Sequence, residues 1–148
     1  MFDNPWLILV FITLIPGIEL RLSIPYGISA GLDPLLVFIV AFFVNVAVIL
    51  PSFLFLGLVF KYVEKILFLQ SFIEKVRSKT GRYVEKYGFI GLALFVAIPL
   101  PGSGAYTGVL GAHLLGIKKR KAVPAITFGV FAASVIVSLA SIGIFAVF

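Results

Sequence analysis

The stretch PGIELRLSIPYG, residues 16–27, sets Glu19 and Arg21 two positions apart within a long apolar tract. A carboxylate can take up and release a proton, and a guanidinium offers a planar fork of donors matched to phosphate or carboxylate. Both charges are costly in hydrocarbon, so each needs a partner or a water-lined cavity. In an extended segment the two side chains lie on the same side, and the pair has two readings. It is either a structural bridge that pins a turn, or a working pair. In the second case Glu19 exchanges a proton or balances substrate charge, while Arg21 holds an anionic headgroup.

A second polar stretch, AIPLPGSGAYTG at 97–108, carries no charge but is rich in breakers and hydroxyls. Pro99, Pro101, Gly102 and Gly104 cannot continue a helix. Ser103 is placed to cap a helix beginning at Ala105, and Ser23 to cap one beginning at Pro25. Helix N-termini of this kind present N–H donors and partial positive charge to an anion. Tyr106 and Thr107 add hydroxyls beside the break, and Tyr106 serves equally well as packing or as a ligand. Asn45, a polar residue in an apolar run, reads first as an interhelical hydrogen-bonding group. His113 is the sole histidine and reads as interfacial. One histidine and no cysteine make no metal site, disulfide or thiol centre. No nucleophile stands with a base, so neither an enzyme nor a cofactor is expected.

The elements that must hold these residues follow from composition. Of 148 residues 61% are hydrophobic and only 12% charged, about half the charged fraction of a soluble domain. Residues 4–18, 34–60, 87–117 and 122–148 are uncharged, each long enough to span a bilayer or to enter and leave it. The chain therefore reads as an all-α integral membrane protein of one domain. MFDNPWLILV lacks a basic region and a cleavage pattern, and reads as part of the mature protein. Trp6 suits an interfacial anchor, and Asp33-Pro34 a turn and helix cap.

Eleven of the twelve basic residues fall in two groups: Lys61, Lys65, Lys75, Arg77, Lys79, Arg82 and Lys86, then Lys118–Lys121. This clustering argues for a cytoplasmic flank rather than for nucleic acid. Both groups can be cytoplasmic only if the segment between them returns to its own side. Residues 87–117 are interrupted near their middle by Pro101-Gly102, so they read as a re-entrant helical hairpin. Residues 5–31 repeat the pattern around Pro16-Gly17. At an offset of 85 residues Gly31 falls on Gly116, and a long apolar segment follows each hairpin.

The expected architecture is an inverted repeat. Repeat 1 covers 1–60, with a hairpin at 5–31 and a transmembrane helix at 34–60. An amphipathic cytoplasmic helix fills 61–86 and ends near Gly81, its apolar side formed by Ile66, Leu69, Phe72, Ile73 and Val76. Repeat 2 covers 87–148, with a hairpin at 87–117 and a transmembrane helix at 122–148. Pro51 and Pro124 kink or start their helices. This is a multi-pass protein of the cell membrane, with the linker and the KKRK run cytoplasmic and both termini outside.

On PGIELRLSIPYGI at 16–28 and AIPLPGSGAYTG at 97–108, the chain resembles the small multidrug export protein family, which is similar to the wider DedA-type (SNARE-associated Golgi protein-like) group. The resemblance covers essentially the whole chain. It implies paired re-entrant hairpins and transport, with Glu19 and Arg21 as the charges of the first tip and Pro99–Thr107 as the facing half of the site. Members of the wider group are linked to moving polyprenyl-phosphate or phospholipid carriers, often with proton coupling. The second repeat departs from a two-charge pattern, because the offset sets Gly104 and Tyr106 opposite Glu19 and Arg21; a homodimer would supply a second pair.

Three functions follow as expectations. The first is a transporter or flippase for an anionic amphipath such as a lipid-linked phosphate. The second is proton-driven export of hydrophobic cations through Glu19, and the third a membrane scaffold that transports nothing. Membrane lipids are the expected surroundings in every case.

Overall fold

The computed structural model describes residues 3–148, leaving the side chains of residue 76 and of 79–85 outside the description. The expected roles of Val76, Lys79 and Arg82 lie among those undescribed side chains. Among the described residues seven helices make the fold: α1 Pro5–Leu14, α2 Leu20–Ser29, α3 Pro34–Ala47, α4 Ile49–Val63, α5 Leu67–Ala97, α6 Ala105–Leu115 and α7 Lys119–Val147.

The punctuation residues explain the boundaries. Asn4 accepts from Trp6 N at 3.0 Å, and Asp33 Oδ1 accepts from Leu35 N and Leu36 N at 3.0 Å each. In both helices proline occupies the first turn, where its missing N–H costs nothing. Gly17, Gly31, Gly102 and Gly116 are the glycines of positive φ among the described residues, at 85, 80, 84 and 72°. They fall into two pairs 85 residues apart, Gly17 with Gly102 and Gly31 with Gly116. The same step relates the starts of α2 and α6 and of α3 and α7. α1 and α2 pack together across Pro16-Gly17, as α5 and α6 do across Pro101-Gly102.

The 34–60 segment forms the apolar span Pro34–Val63, in which α3 and α4 meet at Val48, close to the kink or helix start expected at Pro51. Pro51 supplies no N–H to the carbonyl four residues back, Ala47, where α3 ends. One expectation about length is corrected: the amphipathic helix does not stop near Gly81 but continues to Ala97 as the 31-residue α5, so linker and first arm of the second break are one element. A glycine inside a helix costs only about 1 kcal/mol, which neighbouring turns absorb. Within its apolar side Ile73 is buried, whereas Ile66 and Phe72 are more than half exposed. Pro124 lies inside α7 without ending it.

α7 is the central post, touching α2, α3, α4, α5 and α6. Its buried side combines Ile126, Val130 and Val137 with small residues, Ala122, Ala125, Gly129, Ala133 and Ser134, which let backbones approach closely. A Cβ on Gly129 would stand 2.6 Å from the carbonyl oxygen of Ala93 on α5. The C-terminal end of α6 is closed by Arg77 of α5, whose Nη2 donates to His113 O at 3.0 Å and Nε to Leu114 O at 3.3 Å. The His113 ring rests on Phe60, with centroids 4.3 Å apart.

The outside of the bundle is apolar. Leu35, Phe43, Leu54, Phe55, Phe128 and Leu139 are each more than 60% exposed, far beyond the patch size that water tolerates on a monomer. Pro34–Val63 and Lys119–Val147, of 30 and 29 residues, are long and apolar enough to cross a membrane. The chain is an all-α, multi-pass membrane protein.

Candidate functional site

The two breaks meet: Gly102 N donates to Gly17 O at 3.3 Å. Each break exposes the carbonyl end of one helix and the N–H end of the next, groups that must find partners away from water. Glu19 and Arg21 supply them for the second break. The fully buried Glu19 carboxylate accepts from Ala105 N at 2.9 Å through Oε2 and from Tyr106 N at 3.3 Å through Oε1. It thereby caps α6, where a negative charge also meets the positive end of the helix dipole. Arg21 Nη2 donates to Val96 O at 2.8 Å, to Ile98 O at 3.4 Å and to Ser103 O, closing the negative end of α5. Nη1 lies 3.6 Å from Glu19 Oε2, and Asn45 Nδ2 donates to the same oxygen at 3.1 Å.

The pair thus sits on both ends of a helix interruption contributed by residues some 80 positions away. The stitching runs the other way as well. Tyr106, which the 85-residue step sets opposite Arg21, donates its hydroxyl to Leu14 O at 2.8 Å, at the end of α1. Gly104, opposite Glu19, has no side chain to return. Its bareness is required, because a Cβ there would lie 2.3 Å from both carboxylate oxygens of Glu19.

Glu19 itself is strained. Its φ of 51° and ψ of −145° make it the non-glycine residue of positive φ among the described residues, a conformation costing about 1–3 kcal/mol. It is the N-cap residue of α2 while its side chain serves α6. The donors around the carboxylate hold it in place.

Both serine caps are corrected. α2 begins at Leu20 rather than at Pro25, and Pro25 lies inside it. Ser23 is therefore interior, with Oγ 2.7 Å from Thr13 Oγ1, tying α2 to α1. The chain resumes its helix directly after the Pro16-Gly17 turn, and Pro25 removes only one ladder bond. α6 does begin at Ala105, but Ser103 turns backwards, its Oγ 2.5 Å from Ile98 O and 2.8 Å from Leu100 O, either of which can accept its one proton. Glu19 takes the capping position that Ser103 leaves. Thr107 Oγ1 bonds within its own helix to Gly104 O at 3.1 Å. Pro99 and Pro101 shape the turn around which Arg21 closes.

A cavity of about 620 Å³ lies beside the first break, bounded by Pro16 and Gly17, Pro51 and Phe55 of α4, and Tyr106 and Thr107 of α6; neither Glu19 nor Arg21 lines it. No charged side chain lines it. Its size falls within the range for small-molecule sites. Tyr106 connects the two regions, lining the cavity while its N–H holds Glu19. Asn45 is the site member that sequence reasoning left as an ordinary helix-to-helix contact; being the polar side chain of an otherwise apolar α3, it carried the signal. Among the described residues no cluster of metal-ligating side chains occurs.

Compared with known proteins, the chain matches no characterised relative and no solved structure. A sequence model of one family matches residues 19–136, from the buried glutamate into the second half of α7. That span takes in Glu19, Arg21, Asn45 and the whole second break, and on it the chain belongs to the family described as "Putative small multi-drug export protein".

Proposed function

We propose that the chain is a membrane transporter in which Glu19 occupies, as an internal anion, the place of a substrate's anionic group. The observation that carries this reading is the set of donors converging on one carboxylate that Tyr106 links to an apolar cavity: Ala105 N, Tyr106 N, Asn45 Nδ2 and the Arg21 guanidinium. Such a set suits a phosphate or carboxylate on a molecule whose apolar part takes the cavity. Arg21 is nine-tenths buried, and its Nε and Nη1 have no hydrogen-bond acceptor among the described residues, leaving donors unspent. Protonation of Glu19 removes the internal anion and frees the site for an incoming one, which couples anion entry to proton uptake. A lipid-linked phosphate or phospholipid is the substrate class.

The accompanying topology is a pair of inverted repeats. The α1–α2 unit dips in from outside, the α6 side of the second break from the cytoplasm, and Pro34–Val63 and Lys119–Val147 cross in opposite senses. The basic residues of 61–86 and 118–121 then lie in the cytoplasm and both termini outside. Single cysteines at 31 and 117, in a chain that has none, should label from opposite sides of sealed vesicles. Labelling from one compartment overturns this topology.

The transport test uses vesicles containing a fluorescent short-chain phosphatidic acid and follows its passage between leaflets at acid and alkaline pH. The wild-type protein should move it faster at acid pH. Glu19→Gln, which leaves the site without its internal anion, should move it at a rate independent of pH. A Glu19→Gln protein that keeps the wild-type pH dependence refutes the mechanism. The family description and the uncharged cavity lining favour a second reading, export of hydrophobic cations against protons at Glu19. Proton release on adding such a cation, lost in Glu19→Gln, selects that reading over the first.

A further inference from the structure

Every hydrogen-bonding partner found around Glu19 offers the carboxylate a proton donor. Ala105 N and Tyr106 N are backbone donors, and Arg21 has no acceptor atom. This arrangement suits the ionised acid and leaves the neutral one with a difficulty, since its O–H must itself find an acceptor. One partner differs. Asn45 carries a carbonyl oxygen beside its amide nitrogen, and that Oδ1 is buried and without a hydrogen-bond partner among the described residues.

We infer that Asn45 is the residue that receives the Glu19 proton's hydrogen bond, presenting Nδ2 to the carboxylate and Oδ1 to the carboxylic acid. A carboxamide exchanges a donor for an acceptor at one position by a half-turn about its last torsion. Asn45 is fully buried, on an α3 of which all other residues are apolar, so no other side chain of that helix can take the role. No second titratable group competes from α1, α3 or residues 122–147 of α7, none of which contains an acidic or basic residue. Among the described residues, the charged and titratable groups that interact with Glu19 are Arg21 from α2 and Tyr106 from α6. The Tyr106 hydroxyl is engaged as a donor to Leu14 O, on the side of the first break. Asn45 is thus a positioning residue that lets a group locked among donors become neutral. The inference rests on the proton-exchange reading of Glu19.

The sequence makes a direct test available, because Asn4 and Asn45 are its two asparagines. Asn4 is a helix cap that serine replaces well. In an Asn4→Ser protein labelled with side-chain ¹³C-carbonyl asparagine, the single labelled group is Asn45, with the site itself unaltered. Infrared difference spectra between acid and alkaline pH, taken on protein in lipid vesicles, read that carbonyl and the carboxylic acid of Glu19 together. The expected result is a protonated-acid band that is lost in Glu19→Gln, accompanied by a shift of the labelled Asn45 carbonyl that is lost with it. A Glu19 acid band with an unmoved Asn45 carbonyl overturns the inference and leaves proton exchange standing. Absence of any acid band that Glu19→Gln removes overturns both.

Discussion

Replacing Gly104 with alanine tests the structural core of the site with one methyl group. The Gly104 backbone, at φ −99° and ψ −166°, is open to any residue, so conformation is not what demands glycine. Alanine there should by itself stabilise the protein by about 0.4–1 kcal/mol through the unfolded chain. The demand comes from Glu19, since the added Cβ would stand 2.3 Å from Oε1 and Oε2 and 2.4 Å from the carboxyl carbon. That is roughly 1 Å or more inside van der Waals separation, and the carboxylate must leave. Its departure costs α6 its cap, about 1–2 kcal/mol, and strands Arg21, a loss of about 3–5 kcal/mol for a broken buried pair. The two losses share one carboxylate, so the expected destabilisation is about 3–5 kcal/mol rather than their sum. Reversible unfolding by denaturing detergent in mixed micelles measures it. The decisive comparison is a double-mutant cycle with Glu19→Ala, which removes the obstructing carboxylate. Adding Gly104→Ala to Glu19→Ala should cost almost nothing, giving a coupling of at least about 2 kcal/mol. Additive effects, or a Gly104→Ala protein as stable as wild type, would refute the placement of Glu19 over the start of α6.

Three further outcomes follow from the same geometry. Arg21→Met should destabilise by about 3–5 kcal/mol in the same assay, because it leaves Glu19 buried without its counter-charge and the end of α5 open. Gly129→Ala should cost about 1–3 kcal/mol by pressing α7 off Ala93, whereas Gly57→Ala, with open space around it, should gain up to about 1 kcal/mol; equal effects would contradict the α5–α7 approach. Ser138→Ala should be neutral or stabilising by under about 1 kcal/mol, since its buried Oγ has no partner among the described residues, and a clear loss would reveal a bond not seen here.

The legible parts of this protein were those written locally. Proline, glycine and aspartate mark the turns at Pro16-Gly17, Asp33-Pro34 and Pro101-Gly102, and the 85-residue step was readable from Gly17 and Gly31 against Gly102 and Gly116. The start of α6 at Ala105 was readable too, but not what caps it. Ser103 is the nearest capping side chain, yet Glu19, 86 residues earlier, wins because a charge at a helix N-terminus bonds more strongly than a neutral hydroxyl. Ser23 misled in the same way, since Pro25 looks like a helix start and local signals do not reveal that the turn ends five residues sooner. Gly81 misled as a terminus because one glycine is a weak breaker within a helix stabilised along its length. Asn45 belongs to the site through a contact 26 residues away that no short-range pattern encodes.

The cross-stitching of the breaks also sets an order on biogenesis. Glu19 and Arg21 leave the ribosome long before Ala105, Tyr106 and the carbonyls of Val96 and Ile98 exist to receive them. At about 5–20 residues per second, the 86-residue gap amounts to roughly 4–17 s of translation. During that interval the nascent charges must stay hydrated or shelter in the insertion machinery, because neither has its final partners. Chains arrested before Ala105 should therefore leave position 19 open to aqueous reagents, and release of the second half should seal it.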